Sequence, residues 1–137
     1  MKELSIVITV KDEEENIKPL LESIRLSLSG IDYEVILVDD GSTDKTKQQI
    51  LNNADERTVL VELRKNYGQS TAMTAGIDYS TGRYIALLDG DLQNDPSDIP
   101  GMLDVLKRDV AGPHRHQTVR DRRGAVERDG MTGGERC

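Results

Sequence analysis

The segment YEVILVDDGSTDKT, residues 33–46, joins an apolar run to an acidic, hydroxyl-rich loop. The run is mostly aliphatic and β-branched, which favours a buried β-strand. The loop contains adjacent acids and a glycine, residue types that favour a turn, and Ser42 or Thr43 can cap a following helix. The segment therefore predicts a strand, a polar loop and a helix, in that order.

The same unit repeats on both sides of this segment. Three further apolar runs predict strands: LSIVITV (4–10), TVLVEL (58–63) and RYIALL (83–88). Near-continuous apolarity is typical of strands buried on both faces, as in a parallel sheet. Helical patterns separate the runs, with aliphatic stripes at Ile17–Leu28 and after residue 98, and a helix from about residue 70 to 79. This alternation predicts an α/β fold, a doubly wound sheet of about four parallel strands with flanking helices.

Composition and charge exclude several classes of protein. The 137 residues suffice for one domain, and the absence of Phe and Trp requires an aliphatic core. The net charge of −7 argues against nucleic-acid binding through a basic surface. The single cysteine, Cys137, excludes an intrachain disulfide and a cysteine-rich zinc site. No run is long enough for a signal peptide or a membrane span, so we expect a cytoplasmic chain with no span of its own.

Acidic residues follow the second and fourth predicted strands. Parallel strands end at one edge of a sheet, where open α/β folds bind their ligands. Clustered acids repel one another unless a cation compensates, and Mg²⁺ or Mn²⁺ prefers oxygen ligands of this kind. In LLDGDLQNDP (87–96), Asp89, Asp91 and Gln93 alternate and so face the same way in an extended segment, while Gly90 allows a ligand close to the backbone. This stretch predicts a platform for a metal ion and a diphosphate.

Each acidic motif also has a purely structural interpretation. A D-x-D pair alone is a weak signal, since acids often cap helices, and Asp95 is expected to do only that. One member of the pair Asp39-Asp40 can serve a turn, and the acids of residues 12–15 suit the first turn of a helix. Two motifs at the ends of two strands on one edge favour the functional interpretation.

Three segments in this order resemble the family 2 glycosyltransferases of the GT-A fold. They are IVITVKDEEENI, VILVDDGSTDKT and LRKNYGQSTAMTAGIDYSTGRYIALLDGDLQNDPSDIP. The likeness covers roughly residues 3–108 and is strongest to the dolichyl-phosphate mannosyltransferase type, whose bacterial relatives charge undecaprenyl phosphate with a sugar. It implies a Rossmann-like nucleotide-binding half of a GT-A domain. Full-length relatives act at the cytoplasmic face of a membrane.

The resemblance also assigns roles to individual residues. After the first strand the family contacts the nucleotide; Glu13 matches its motif, whereas Thr9 and Lys11 depart from it. Asp40 lies where the family contacts the base. The remaining assignments concern the end of the fourth strand. Asp89 and Gly90 are expected to lie near the donor, and Asp91 and Gln93 to be ligands of Mg²⁺ or Mn²⁺. Asp89 and Asp91 together are expected to form the catalytic pair. The loop 66–69 corresponds to one that packs over the nucleotide, and we rank it below the acids.

The chemistry that the resemblance implies is transfer of a sugar, with inversion, from a UDP- or GDP-sugar to a polyprenyl phosphate. The metal ion would neutralise charge on the departing nucleoside diphosphate. A phosphate acceptor is already ionised near neutral pH, so it needs no general base, whereas a hydroxyl acceptor would need one.

The charge balance changes near residue 108. Residues 1–108 contain 12 Lys and Arg against 20 Asp and Glu, whereas residues 109–137 contain 6 against 5. This C-terminal segment, residues 109–137, has no apolar period, so we expect an incomplete GT-A domain over 1–108 followed by a disordered tail. We hypothesise that the tail is a truncation or out-of-frame product; a clean reading frame in the source DNA would argue against this.

Two other functions are compatible with acids at strand ends. One is a catalytically inactive fragment that still binds nucleotide. The other is a receiver-like signalling domain, which expects an acid pair after the first strand and a phosphorylatable Asp after the third. Here the third strand is followed by Arg64, Lys65 and Asn66 instead, so this alternative ranks low. A phosphatase with a D-x-D nucleophile would need this pair after the first strand. Here the pair follows the fourth predicted strand, so the sequence does not match a phosphatase of this kind.

Overall fold

The computed structural model describes residues 2–90, 95–108 and 119–121, the last three by backbone only. Strands and helices alternate along most of this length, with one short 3-10 turn at Pro96–Asp98 before the last helix. The strands are β1 (Leu4–Val10), β2 (Tyr33–Asp39), β3 (Thr58–Glu62), β4 (Tyr84–Asp89) and β5 (Val119–Asp121). The helices are α1 (Ile17–Ser27), α2 (Thr46–Asn53), α3 (Gln69–Tyr79) and α4 (Ile99–Arg108).

The five strands form one sheet in the order β3-β2-β1-β4-β5. β1 lies at its centre and pairs in parallel with β2 on one side and β4 on the other, while β3 extends the parallel part beyond β2. The four runs predicted as parallel strands are therefore confirmed, as is the α/β fold class. Strand order reverses between β1 and β4, which is the position where doubly wound sheets form a ligand-binding crevice.

Helices cover both faces of the sheet. Alternate residues of β1, such as Ile6 and Ile8, pack with buried residues of α1, α2 and α4 in one core cluster. The intervening residue Val7 belongs to a second cluster with Ile36, Val38 and Ala72 of α3. Both faces of the central strands are thus removed from water, and the continuous apolarity of the strand sequences reflects this burial.

The helix starts differ from the sequence expectations in two places. α2 begins at Thr46, not directly after Ser42 or Thr43. Ser42 and Thr43 instead form hydrogen bonds with Asp12 of the β1–α1 loop. The acids of residues 12–15 were expected in the first turn of a helix, but α1 begins only at Ile17. In both places the two loops bond to each other, and it is Asp44, not Ser42 or Thr43, that accepts a hydrogen bond of 2.9 Å from the N–H of Thr46 at the start of α2.

The structure adds a strand within the C-terminal segment. β5 pairs antiparallel with β4, with Val119 opposite Ala86 and Asp121 opposite Tyr84. The sequence analysis expected no regular structure here, since three residues are too few for a recognisable period. The strand arises from pairing with the edge of β4, a contact that local sequence does not encode. No helix within the described ranges is long and apolar enough to cross a membrane.

Candidate functional site

A cleft of about 410 Å³ lies at the carboxyl ends of β1, β2 and β4, where the strand order reverses. Among the described residues, those that line it are Thr9, Val10, Lys11, Glu13, Asp40, Asn66, Gly68, Gln69, Asp89 and Gly90. The structure thus brings into one cleft all the predicted donor-contacting residues that it describes: Thr9, Lys11, Glu13, Asp40, Asp89 and Gly90. They come from three separate strand ends, so the sheet topology assembles the cleft.

Asp89 is the last residue of β4 and is half-buried at the wall of the cleft. Its Oδ1 accepts a hydrogen bond of 2.5 Å from Nε2 of Gln69. Gln69 is the first residue of α3, and its side chain is exposed. An ionised carboxylate strengthens such a bond relative to one between neutral groups. The two residues therefore connect the end of β4 to the start of α3 across the cleft.

Asp40 holds the loop that leads into α3. Its side chain is buried, with 5% of the residue exposed, and its two oxygens accept hydrogen bonds from the backbone N–H groups of Tyr67 and Gly68 at 2.8 and 3.0 Å. Gly41 has a φ of +74°, and a Cβ atom there would lie 2.5 Å from the backbone nitrogen of Asn66. The β3–α3 loop is thus bonded to one residue at the end of β2 and packed against the next.

The neighbouring acid Asp39 has a different role. Its Oδ1 accepts a hydrogen bond of 3.0 Å from the backbone N–H of Ser42, which forms a local turn, and only 3% of the residue is exposed. One member of the acid pair was expected to serve a turn, and the structure identifies that member as Asp39. Asp40 is the member that faces the cleft.

Thr9 and Gly90 lie side by side at the ends of β1 and β4. The backbone N–H of Gly90 donates to the carbonyl oxygen of Thr9 at 3.2 Å. A Cβ atom on Gly90 would lie 2.6 Å from Cγ1 of Val10. The sequence analysis explained this glycine by close approach of a ligand, but packing against β1 already requires it.

Lys11 and Glu13 form the third wall of the cleft. Nζ of Lys11 lies 3.2 Å from a carboxylate oxygen of Asp12, an exposed ion pair that contributes little to stability. Oε1 of Glu13 accepts a hydrogen bond of 2.7 Å from Nδ2 of Asn16, and its backbone N–H donates to Oγ1 of Thr46 at 2.8 Å. Lys11 is the one cation among the described lining residues, and its weak ion pair leaves it able to turn towards an anionic ligand.

Asp12 lies behind this wall and fastens the β1–α1 loop to the β2–α2 loop. Its φ of +54° is unusual for a residue with a side chain. Oδ1 accepts a hydrogen bond of 2.8 Å from the backbone N–H of Thr43, and the Asp12 N–H donates to Oγ of Ser42 at 2.9 Å. The bond from Thr43, followed by the bond from Lys11, lowers the pKa of the Asp12 carboxyl. The wall of the cleft is thus built on two loops that brace each other.

The described lining of the cleft offers oxygen donors of the kind that hard divalent cations prefer. It contains the carboxylates of Glu13, Asp40 and Asp89 and neither histidine nor cysteine, a set of oxygen donors that favours Mg²⁺ or Mn²⁺ over zinc. The predicted metal ligands Asp91 and Gln93 lie outside the described residues. Among the residues that are described, no three His, Cys, Asp or Glu side chains are grouped to hold a metal ion.

Sequence reasoning gave too little weight to the loop of residues 66–69. Asn66, Gly68 and Gln69 all line the cleft, and Gln69 bonds directly to Asp89. The available signal was position, since this loop follows β3 and opens α3 at the same edge of the sheet as the acids. Asp95 was expected to be a helix cap and not part of the site. As predicted, its side chain caps the 3-10 turn by accepting a hydrogen bond from the N–H of Ser97.

Curated proteins with similar sequences have a polyprenyl phosphate in their names. The chain is 45% identical over 111 residues to a dodecaprenyl-phosphate galacturonate synthase of Rhizobium johnstonii. The aligned region covers 77% of this chain and 33% of that protein. It is 37% identical over 122 residues to an undecaprenyl-phosphate 4-deoxy-4-formamido-L-arabinose transferase of Photorhabdus laumondii, covering 84% of this chain and 38% of the relative. The chain thus spans 33–38% of the length of these relatives.

Solved structures share the fold. The chain is similar to the mannosyltransferase PcManGT from Pyrobaculum calidifontis in complex with GDP-Man and Mn²⁺, with a TM-score of 0.69 and 22% identity over 77% of this chain and 32% of the other. It is also similar to S. aureus TarS 1-349 in complex with UDP-GlcNAc, with a TM-score of 0.63 and 21% identity over 77% of this chain and 31% of the other. At this identity the likeness shows the fold alone, and it agrees with the GT-A expectation.

The family model for glycosyl transferase family 2 matches residues 5–131. The match extends past residue 108, where the quoted motifs end, into the C-terminal segment. It confirms the resemblance drawn from the three quoted segments and leaves no support for a receiver-like domain. This chain belongs to glycosyl transferase family 2.

Proposed function

We propose that the cleft binds a UDP- or GDP-sugar together with Mg²⁺ or Mn²⁺, and that the chain forms the donor-binding part of a glycosyltransferase. One observation carries this proposal. Six residues predicted from separate motifs line a single cleft at the reversal of strand order, the place where α/β sheets bind nucleotides. Family membership supports the same assignment.

Each wall of the cleft has a proposed task in donor binding. Thr9, Lys11 and Glu13 contact the nucleoside, with Lys11 supplying positive charge in an otherwise acidic lining. Asp40 faces the base and at the same time holds the loop that covers it. Asp89 lies near the ribose or the metal ion, and Gly90 lines the floor between β1 and β4.

The proposed reaction transfers the sugar with inversion at its anomeric carbon. The acceptor oxygen forms a new bond to that carbon, while the bond to the donor diphosphate breaks and the nucleoside diphosphate leaves with both electrons. A divalent ion, with Asp91 and Gln93 as its proposed ligands, would neutralise the charge that develops on the leaving group. Asp89 and Asp91 form the catalytic pair in this proposal.

We propose a polyprenyl phosphate as the acceptor. The names of both curated relatives contain a polyprenyl phosphate, which supports this choice. A phosphate oxygen is already ionised near neutral pH, so the reaction needs no general base.

We place the chain in the cytoplasm, with the acceptor presented by the membrane. Finding the expressed chain outside the cell in fractionation experiments would contradict this placement.

Calorimetric titration of the purified chain with UDP and with GDP tests the proposal. Each nucleotide is titrated with Mn²⁺ and again with EDTA. We expect saturable binding of one nucleotide that needs the metal ion and is lost in both Asp89→Ala and Asp91→Ala. Asp78→Ala, which removes an exposed aspartate from the far end of α3, is the matched control and should bind normally.

Absence of binding by a chain that circular dichroism shows to be folded would contradict the proposal. A second candidate is binding without transfer, which is favoured by the chain spanning only 33% of its galacturonate synthase relative. Incubation with a radiolabelled nucleotide-sugar and a short polyprenyl phosphate separates the two candidates. Label in the organic phase indicates transfer, and binding without extractable label indicates the second.

A further inference from the structure

In the hydrogen bond between Gln69 and Asp89, the backbone that carries the donor Gln69 is itself anchored by a hydrogen bond to Asp40. Nε2 of Gln69 lies 2.5 Å from Oδ1 of Asp89 across the cleft. The residue before Gln69 is Gly68, whose backbone N–H donates to Asp40 at 3.0 Å and whose φ is +101°. The start of α3 is therefore fixed to β2, and the Gln69 side chain extends from this fixed point to the end of β4.

The chemistry of an amide suits this position better than that of a cation. An aspartate side chain has more than one staggered rotamer. A neutral N–H donor selects one rotamer and leaves the negative charge of Asp89 in place. A lysine or arginine would make a similar bond, but its charge would cancel that of Asp89 and oppose a nearby divalent cation.

We propose that Gln69 is a positioning residue for Asp89, and that its amide holds the Asp89 carboxylate in the orientation that a nucleotide diphosphate and its divalent ion require. This inference deepens the proposed function and rests on it. It assigns to the β3–α3 loop a role in metal-dependent donor binding, in addition to covering the cleft.

The test is the ratio of nucleotide affinity in Mn²⁺ to affinity in EDTA, measured by calorimetry with UDP and GDP. In Gln69→Leu, which keeps the size but removes the donor, affinity in Mn²⁺ should fall about tenfold, as expected for one charge-assisted hydrogen bond at an exposed site. Affinity in EDTA should change little. Gln69→Lys keeps a donor but adds charge, so it should lose the enhancement by Mn²⁺ while binding nucleotide at least as well in EDTA.

A purely structural role for Gln69 would give a different result. It would lower the thermal stability and reduce affinity equally with and without metal. Gln48→Leu, at an exposed glutamine of α2, is the matched control and should leave both affinities unchanged. Thermal unfolding of each variant shows whether it folds. If Gln69→Leu does not fold, the affinities of Gln69→Lys still test the proposal.

The outcomes separate this inference from the proposed function. Normal metal-dependent binding by the wild type, with Gln69→Leu equal to it in Mn²⁺, would overturn the role of Gln69 alone. No metal-dependent binding by the wild type would overturn both. A loss of nucleotide affinity that Gln69→Leu and Gln69→Lys show only in Mn²⁺, and not in EDTA, supports the inference.

Discussion

At the residue scale, the cleft depends on backbone positions that a side chain cannot occupy. Gly41 follows Asp40 directly, has a left-handed backbone and packs against the backbone of residues 65 and 66. A β-carbon at this point would force the β3–α3 loop outward. The hydrogen bonds that Asp40 receives from the same loop would then lengthen or break.

Gly41→Ala should therefore destabilise the fold and weaken nucleotide binding. The left-handed backbone alone costs a residue with a side chain about 1–3 kcal/mol, and the contact with Asn66 adds to this. Gly101→Ala is the control, since nothing lies within 4 Å of the added methyl group and alanine favours a helix. Urea unfolding of both variants checks the prediction, which an unchanged midpoint for Gly41→Ala would contradict.

Individual side-chain partnerships were the least predictable feature. The acids at the strand ends were identified because each follows an apolar run, a local signal. The bond between Gln69 and Asp89 joins residues 20 positions apart, and no local pattern encodes such a pair. The same holds for Gly90, whose neighbour Val10 belongs to a strand far away in the sequence.

At the element scale, two loops behave as one unit. Asp12 and Glu14 of the β1–α1 loop receive hydrogen bonds from backbone groups of the β2–α2 loop, and Asp44 receives one from Glu14 in return. The strands and most helices were predictable because their periods are local. The start of α2 was not, since Ser42 and Thr43 are engaged by a loop about 30 residues earlier.

Asp12→Ala should remove a contribution to stability that depends on pH. The pKa of Asp12 is lowered by the bonds from Thr43 and Lys11, so the folded state favours the ionised form. This contribution is complete above the ordinary aspartate pKa of about 3.9 and is lost as the pH falls through the lower value of the folded state. The difference in unfolding free energy between wild type and variant should thus be largest at neutral pH and shrink below about pH 4.

Other charges around Asp12 must be considered in this experiment. They are Lys11 on its own loop, Glu14, and Asp44 and Lys45 on the facing loop. The pKa of Asp44 is also lowered: burial raises it, but hydrogen bonds from Thr46 outweigh that effect. Urea unfolding across the acidic range measures the difference, and Asp78→Ala serves as the control. A difference that stays constant with pH would contradict the prediction.

At the scale of the whole molecule, the two ends of the sheet differ. At the carboxyl ends, acids line an open cleft. At the opposite end, the buried carboxylate of Glu34 accepts hydrogen bonds from Oγ of Ser5 at 2.6 Å and from the backbone N–H of Thr81 at 2.7 Å, and Oγ of Ser5 accepts one from the N–H of Gly82. That network ties β1, β2 and the start of β4 together. This division follows from the topology, because parallel strands place all their carboxyl ends together.

The central claim is that the carboxyl-end cleft binds a nucleotide diphosphate. Amide NMR spectra of the isotopically labelled chain, titrated with UDP and GDP in Mg²⁺, test it most directly. We predict that shifts concentrate at the amides of Lys11, Gly41, Gly68 and Gly90, while those of Ser5 and Gly82 at the opposite end stay unchanged. Replacing Mg²⁺ with paramagnetic Mn²⁺ should broaden the Gly90 signal first. Shifts centred on the Ser5 and Gly82 end, or no saturable shift with either nucleotide, would contradict the account.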